Sequence, residues 1–326
     1  MKLKKIYVYA VVILIVILVG IVFYLKYPLT KTEKTEVKNE TEKLAWFVDK
    51  NGYLYYPLDR GNIKFRRENY SETNSLLISK VVYRSTKGNV YGLLVLPKNI
   101  TEELPGIVLL PGAGVSKGSE LKLAGKIAEL GAAVLTIDQR GVGETNGDFP
   151  TLDEDYYSFI AAKEPYQHLM VYDALRAYDL LYSAPFVDSE RIIIAGESLG
   201  GRIAVIAAAI DRNVKGVLVI SSSGFDFKAK GDASKDAFSY SIDSDHYIDL
   251  ITPRKTVMMH NAYDKNVPLS SAVNSFKKAQ EPKQFILIND TACNHGYCDS
   301  MYNGLVDALD YLVDIRTKTI FAVPEK

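Results

Sequence analysis

The chain has 326 residues, with 39 Lys plus Arg against 39 Asp plus Glu, so its formal net charge is zero, and 48% of it is hydrophobic. That balance excludes the broad basic field of a nucleic-acid binder, and the apolar content excludes intrinsic disorder. With only 2 Cys the chain is not a disulfide framework, and its length suits one α/β domain of roughly 250 residues behind an N-terminal segment.

Residues 6–25, IYVYAVVILIVILVGIVFYL, carry no charge, and as a helix they would span about 30 Å, the thickness of a hydrocarbon core. The lipid bilayer is therefore an expected partner through these residues. The stretch is too long for a signal peptide, and Phe23, Tyr24 and Tyr27 stand where a cleavage site needs small residues, so an uncleaved anchor is expected. Lysines flank the span on both sides and do not orient it. A short tail holding Lys2, Lys4 and Lys5, with sequons at Asn39, Asn69, Asn99 and Asn289, favours a cell-membrane protein whose catalytic domain lies outside the cytoplasm. Residues 30–43 are polar and mixed in charge, as in a solvated stalk. The expected organisation is an anchor over residues 1–29, a stalk over 30–43, a lead-in over 44–75 and a catalytic domain over 76–326, with the strand-like pattern of Trp46 to Asn74 too weak to place.

From there apolar runs of strand length alternate with stretches of helical period, the pattern of a mostly parallel sheet covered on both faces. Val81 to Thr86 and Val90 to Leu96 flank Lys87-Gly88-Asn89 and predict an opening hairpin. Gly106 to Leu110, Ala132 to Ile137, Arg191 to Ala195, Gly216 to Ile220, Thr256 to His260 and Gln284 to Ile288 complete an expected eight-stranded sheet. Helical stripes run through Leu123, Ile127 and Leu130, through Val171 to Tyr182, and through Leu305, Leu309 and Leu312.

Gly196-Glu197-Ser198-Leu199-Gly200-Gly201 falls between the run Arg191 to Ala195 and a helical stretch, Arg202 to Ile210. A nucleophile on a tight strand-to-helix turn needs Gly on both sides, and the helix N-terminus behind it favours developing negative charge. An attacking Ser needs a base, and the base an orienting carboxylate. Asp264 follows the strand Thr256 to His260, and His295 follows Gln284 to Ile288, so each candidate lies past the carboxyl end of a separate strand. Of the 4 His, His168 sits in a helical stripe, His260 ends a strand and His246 lies in an irregular segment, which leaves His295 as the preferred base. Asp290 and Asp299 are weaker rivals to Asp264.

Gly196-x-Ser198-x-Gly200, Asp264 with Val267-Pro268 behind it, and His295-Gly296 resemble the nucleophile, acid and base of the α/β-hydrolase superfamily. Asp138-Gln139-Arg140-Gly141-Val142-Gly143 resembles its prolyl-oligopeptidase-like and acetylxylan-esterase-like branch, with Arg140 expected as a buried donor. The resemblance spans about Val81 to Val313 and implies an α/β-hydrolase fold. It also implies an oxyanion hole built by the N–H of Leu199 and one from Pro111-Gly112-Ala113-Gly114, by position Ala113, where the superfamily usually shows His-Gly. No metal or organic cofactor is expected. A propeller of the oligopeptidase kind has no room before the first strand, so a carboxylesterase acting on a small-molecule or peptide acyl substrate is preferred over a serine peptidase, and both over a silent binding module.

Two insertions, Glu144 to Glu164 and Ser222 to Asp249, carry twelve acids against four lysines and would overhang the site. Their charge is expected to disfavour anionic substrates. Cys293 and Cys298 bracket His295 and admit a zinc site, free thiols or a disulfide, the last preferred for an external domain.

Overall fold

A computed structural model describes residues 46–315. The expected anchor and stalk lie outside the described residues, among which no helix is long and apolar enough to cross a membrane. In chain order the strands are β1 (Phe47–Val48), β2 (Leu54–Tyr55), β3 (Phe65–Glu72), β4 (Leu76–Ser85), β5 (Gly88–Pro97), β6 (Leu104–Leu110), β7 (Ala133–Ile137), β8 (Val187–Glu197), β9 (Gly216–Ile220), β10 (Lys255–Asn261) and β11 (Lys283–Ile288). The α-helices are α1 (Leu121–Glu129), α2 (Leu152–Ile160), α3 (Tyr166–Tyr182), α4 (Leu199–Ile210), α5 (Ala233–Ser241), α6 (Leu269–Lys278) and α7 (Tyr302–Val313).

β6, β7 and β9 are buried at every position, because strands that feed helices on both faces have no solvent side. Along them alternate residues diverge: Ile107, Leu109, Ile193, Ala195, Leu218 and Ile220 pack with Leu123 and Ile127 of α1 and Leu305 and Leu309 of α7. α3 and α4 pack against β6 and β8. The sheet order is β11-β10-β9-β8-β6-β7-β5-β4-β3, parallel from β11 to β7 and antiparallel from β7 through β5 and β4 to β3.

The expected eight strands are all present, but the sheet has nine. The addition is β3, paired antiparallel with β4 from Phe65↔Tyr83 to Glu72↔Leu77. Every residue of β3 is exposed, so it carries no hydrophobic alternation, and backbone pairing with β4, helped by Arg67 donating to Ser79 Oγ, holds it at the edge. The lead-in that carries it belongs to the same compact unit as the rest of the sheet. Leu54 N–H donates to Tyr247 Oη at 2.7 Å, and Arg60 bridges Asp179 and Asp211 with side chains almost wholly buried.

The turn after β7 is an architectural joint. Arg140 donates from Nε and Nη2 to the two Asp173 carboxylate oxygens of α3, both at 2.8 Å, and its Nη2 also reaches Thr86 O in the β4–β5 hairpin. Asp138, fully buried, accepts from Lys117 N–H and Glu144 N–H, both at 2.8 Å, and from the Lys117 ammonium. His168 is likewise fully buried, its Nε2 bonded to Ser241 Oγ at 2.7 Å, and burial lowers its pKa to about 3, so it packs as a neutral ring. The Arg140–Asp173 pair yields a direct test. Asp173→Ala leaves a buried guanidinium unpaired and should cost about 3 kcal/mol or more, read as a lower urea midpoint.

Candidate active site

β8 ends at Glu197 and α4 begins at Leu199, which leaves Ser198 alone to turn the chain, at φ 50° and ψ −115°. Its neighbours hold it there. Ser198 N–H donates to Ile220 O at 3.0 Å, while Ser198 O accepts from Gly201 N–H at 3.0 Å and from Ser222 Oγ. A Cβ at Gly196 would strike the backbone of Gly200, and one at Gly200 would strike Leu110 O, so the turn closes only with glycine at both positions.

The other two candidates meet each other directly. Asp264 follows β10, and its carboxylate oxygens both lie 2.9 Å from His295 Nδ1. A carboxylate only accepts, so Nδ1 carries the proton and Nε2 is left to accept one. Burial works against the Asp264 charge, but the N–H groups of Val267 and Asn266 and the His295 ring outweigh it and hold the pKa below the ordinary carboxylate range. Rival side chains have other partners: Asp290 accepts from Ala292 N–H, Asp299 pairs with Lys122 on the surface, His260 bonds Val267 O, and His246 stacks on Tyr53.

Ser198 and His295 share no direct hydrogen bond among the described contacts, a looseness common before substrate binds. They are joined through their neighbours. Glu197 Oε1 accepts from Tyr297 N–H at 2.9 Å, and Ser221 Oγ donates to Gly296 O at 3.2 Å, so the residue before Ser198 and the end of β9 beside it both grip the loop just past His295. Asn261, fully buried at the end of β10, donates to Cys293 O at 2.6 Å and Asp290 O at 2.9 Å, and Lys265 N–H bonds Asn294 O at 2.9 Å. Cys293 and Cys298 are joined as a disulfide across the His295 loop, their Cα atoms 5.9 Å apart. Among the described residues no group of three or more His, Cys, Asp or Glu is arranged to hold a metal.

The loop after β6 comes next to the nucleophile. Gly112 is its buried point of approach, where a Cβ would lie 3.6 Å from Ser198 Cβ, while Ala113 is exposed. Gln139 donates from Nε2 to Pro111 O at 2.7 Å and so fixes the plane of the Pro111–Gly112 peptide. Gln139 stands inside the Asp138 to Gly143 motif, but nothing in its spacing marks it as a backbone clamp, and nothing local marks Glu120, 3% exposed beside α1. Burial, and then the Glu197 charge, raise its pKa above the ordinary range; burial also raises that of Glu197, against the pull of Tyr297 N–H and His295.

The acidic insertions are engaged locally. Asp155 accepts from the first two N–H groups of α3, Glu154 forms a capping box with Thr151, and Asp232 caps α5. Asp243 accepts from Phe225 and Phe227 N–H, and Asp226 and Asp245 share Lys278.

A nucleophile turn of this kind, with a carboxylate–imidazole pair beside it, invites comparison with known hydrolases. The acetyl xylan esterase (AXE1) family pattern matches residues 60–241, more than half of the chain. The chain belongs to the acetyl xylan esterase family. Membership places it among the ester-cleaving hydrolases, of which the serine type is typical on this fold. The span matched includes Ser198 and stops before Asp264 and His295. The acetyl xylan esterase from Paenibacillus sp. R4 aligns with TM-score 0.64 at 21% identity, over 78% of this chain and 90% of that one. Acetyl xylan esterase 1 from Thermoanaerobacterium sp. JW/SL YS485 aligns at 0.60 and 16%, over 79% and 89%, and the glucuronoyl esterase from Solibacter usitatus at 0.54 and 15%, over 76% and 86%. At such identities the likeness is one of fold, that of an α/β hydrolase with a mostly parallel sheet. YtaP of Bacillus subtilis (strain 168), a candidate hydrolase, is 32% identical over 90 residues, which is 28% of this chain and 29% of YtaP.

In this family member the Glu120–Glu197 pair makes stability depend on pH. Because folding raises the Glu120 pKa, the folded chain keeps a proton that the unfolded chain has released above the ordinary carboxylate value. The contribution is full below that value and is lost as pH rises through the folded one. Glu120→Gln should therefore gain about 1 kcal/mol or more on the wild type between about pH 5 and about pH 8. Urea midpoints at the two pH values check it.

Proposed function

We propose that the chain is a serine carboxylic ester hydrolase working through an acyl-enzyme, with Ser198 as nucleophile, His295 as general base and Asp264 as its orienting acid. The observation that carries this reading is the Asp264–His295 pair, its loop tied to a strained Ser198 turn by Glu197 and to the neighbouring strand end by Ser221. In the first step Ser198 Oγ attacks the ester carbonyl carbon while His295 Nε2 takes the hydroxyl proton, and Asp264 steadies the imidazolium. The tetrahedral oxyanion is met by backbone N–H groups, for which we propose Leu199, first in its helix and without an intrahelical partner, and Ala113 in the loop clamped by Gln139. Collapse passes the proton to the leaving alcohol; water, activated by the same imidazole, then releases the carboxylic acid and restores Ser198.

Against a soluble acyl ester, Ser198→Ala and His295→Ala should each lower kcat by about a millionfold and Asp264→Asn by about ten thousandfold. Initial rates with each purified variant, alongside labelling of the wild type by a fluorophosphonate, check the assignment. A Ser198→Ala protein with near-native turnover would overturn it.

We also propose that residues 6–25 anchor the enzyme in the cell membrane with the catalytic domain outside the cytoplasm. The uncharged span supports this, as do the exposed positions of the sequons at Asn69, Asn99 and Asn289 and a disulfide suited to an oxidising compartment. Deleting residues 1–43 should give a protein that leaves the membrane fraction and keeps its ester turnover within about twofold, since the proposed chemistry uses nothing before Ala113. Fractionation and rate assays of the shortened chain test the anchor, and protease access in intact cells tests the orientation.

A further inference from the structure

The two insertions enclose a cleft that the proposed chemistry does not use. α2 and α5 pack through Tyr156, Phe159 and Phe238, with ring centroids 5.7 Å apart for Tyr156–Phe238 and 5.6 Å for Phe159–Phe238. Beside this contact opens a volume of about 220 Å³, walled by Leu152 and Tyr156 of α2, Phe238 and Ile242 of α5 and its end, and Phe225 and Phe227 of the segment after β9. A cavity of about 150 Å³ with apolar walls is enough to hold a benzene ring. Leu152 and Phe225 remain 45% and 46% exposed at its edge, so apolar surface that the fold could have covered is left open.

The walls are built rather than incidental. Asp243, 2% exposed, accepts from Phe225 N–H at 2.8 Å and Phe227 N–H at 2.9 Å, which fixes the backbone that carries both rings. The same segment begins at the nucleophile. Ser222 Oγ donates to Ser198 O, and three residues later Phe225 lies 4.2 Å from the Arg202 guanidinium, on the first turn of α4, where Arg202 N–H bonds Ser198 O at 3.3 Å. Arg202 Nη1 is buried and has no acceptor among the described residues, and burial lowers the Arg202 pKa to about 10 despite Asp243 nearby. One end of the cleft, at Phe225, is thus a single side chain removed from the helix that Ser198 caps.

We propose that this cleft binds an aryl group of the ester substrate, so that the ring lies along Phe225 and Tyr156 while the scissile carbonyl reaches Ser198. The proposal rests on the esterase reading above. Aromatic walls favour a ring through offset or edge-to-face contacts as well as through buried area. Whether the ring belongs to the acyl or the alcohol side depends on which way the ester lies, and the two arrangements call for different esters.

Ethyl hydrocinnamate carries the ring on the acyl side, phenethyl acetate carries it on the alcohol side, and ethyl acetate carries none. For wild type, kcat/KM should exceed that for ethyl acetate by about tenfold or more with at least one aryl ester. Ser239→Trp, which fills the cleft from α5, should cut that ratio by about tenfold, and Phe225→Ala, measured alongside, should lower it by removing one wall. Equal kcat/KM for the three esters in wild type, or an aryl preference unchanged in both variants, would overturn the proposal while leaving the esterase reading in place. A wild-type enzyme inert to all three esters would overturn both.

Discussion

Ser198 occupies a backbone conformation that a residue with a side chain resists, and the site's geometry is organised around holding it there. Positive φ with strongly negative ψ costs on the order of 1–3 kcal/mol and persists only where the surroundings over-determine it. Here the surroundings are the ends of three adjacent parallel strands. Ile220 at the end of β9 accepts the Ser198 N–H, Leu110 at the end of β6 presses on Gly200, and β8 itself delivers the turn. Strain of this size is small beside what a buried sheet supplies, so the sheet can impose it; a loop on the surface could not.

The same turn sets the register of His295, the proposed base. Glu197, the residue before the nucleophile, places its carboxylate on the Tyr297 N–H, and Ser221 takes hold of Gly296, so a shift of Ser198 would carry the His295 loop with it. Asn261 and the Lys265 N–H add restraints from the β10 side, and the disulfide closes the loop on itself. Restraints on this loop matter because the proposed proton transfer needs hydrogen-bond distances, and misplacement by an ångström can cost a hundredfold in rate. There is an electrostatic cost to this design. Burial opposes charge on Glu197, which accepts from Tyr297 N–H, and on the nearby Glu120, and it raises the pKa of both.

Much of this was legible in the sequence, and the reasons are specific. The eight expected strands were visible as apolar runs, continuous where both faces are buried as in β6, β7 and β9; β3 was not, because its residues Phe65–Glu72 are all exposed. Ser198, Asp264 and His295 could be nominated because a strand-to-helix turn and the ends of two later strands are sequence-local features. Their support could not. Glu120, Gln139 and Asn261 act across separations that no spacing rule encodes, and only burial of a charged or amide side chain distinguishes them. Thr151-x-x-Glu154 is the exception, a capping box that was readable and would have announced α2.

The acidic insertions illustrate how charge counted along a chain differs from charge in space. Twelve acids suggested a negative mouth over the site, yet most of them accept from backbone N–H groups or pair with lysines. A carboxylate that satisfies a helix N-terminus is partly neutralised by the helix dipole, and Asp226 and Asp245 are partly neutralised by the Lys278 they share, so the long-range field is weaker than the count implies. What the acids supply instead is shape. Asp155 starts α3, Asp232 and Asp236 start α5, and Asp243 pins the segment bearing Phe225 and Phe227. Insertions without a hydrophobic core of their own need such anchors to hold a fixed form. Rigid walls are in turn what allow exposed aromatic side chains to stand around an open cleft instead of collapsing into it.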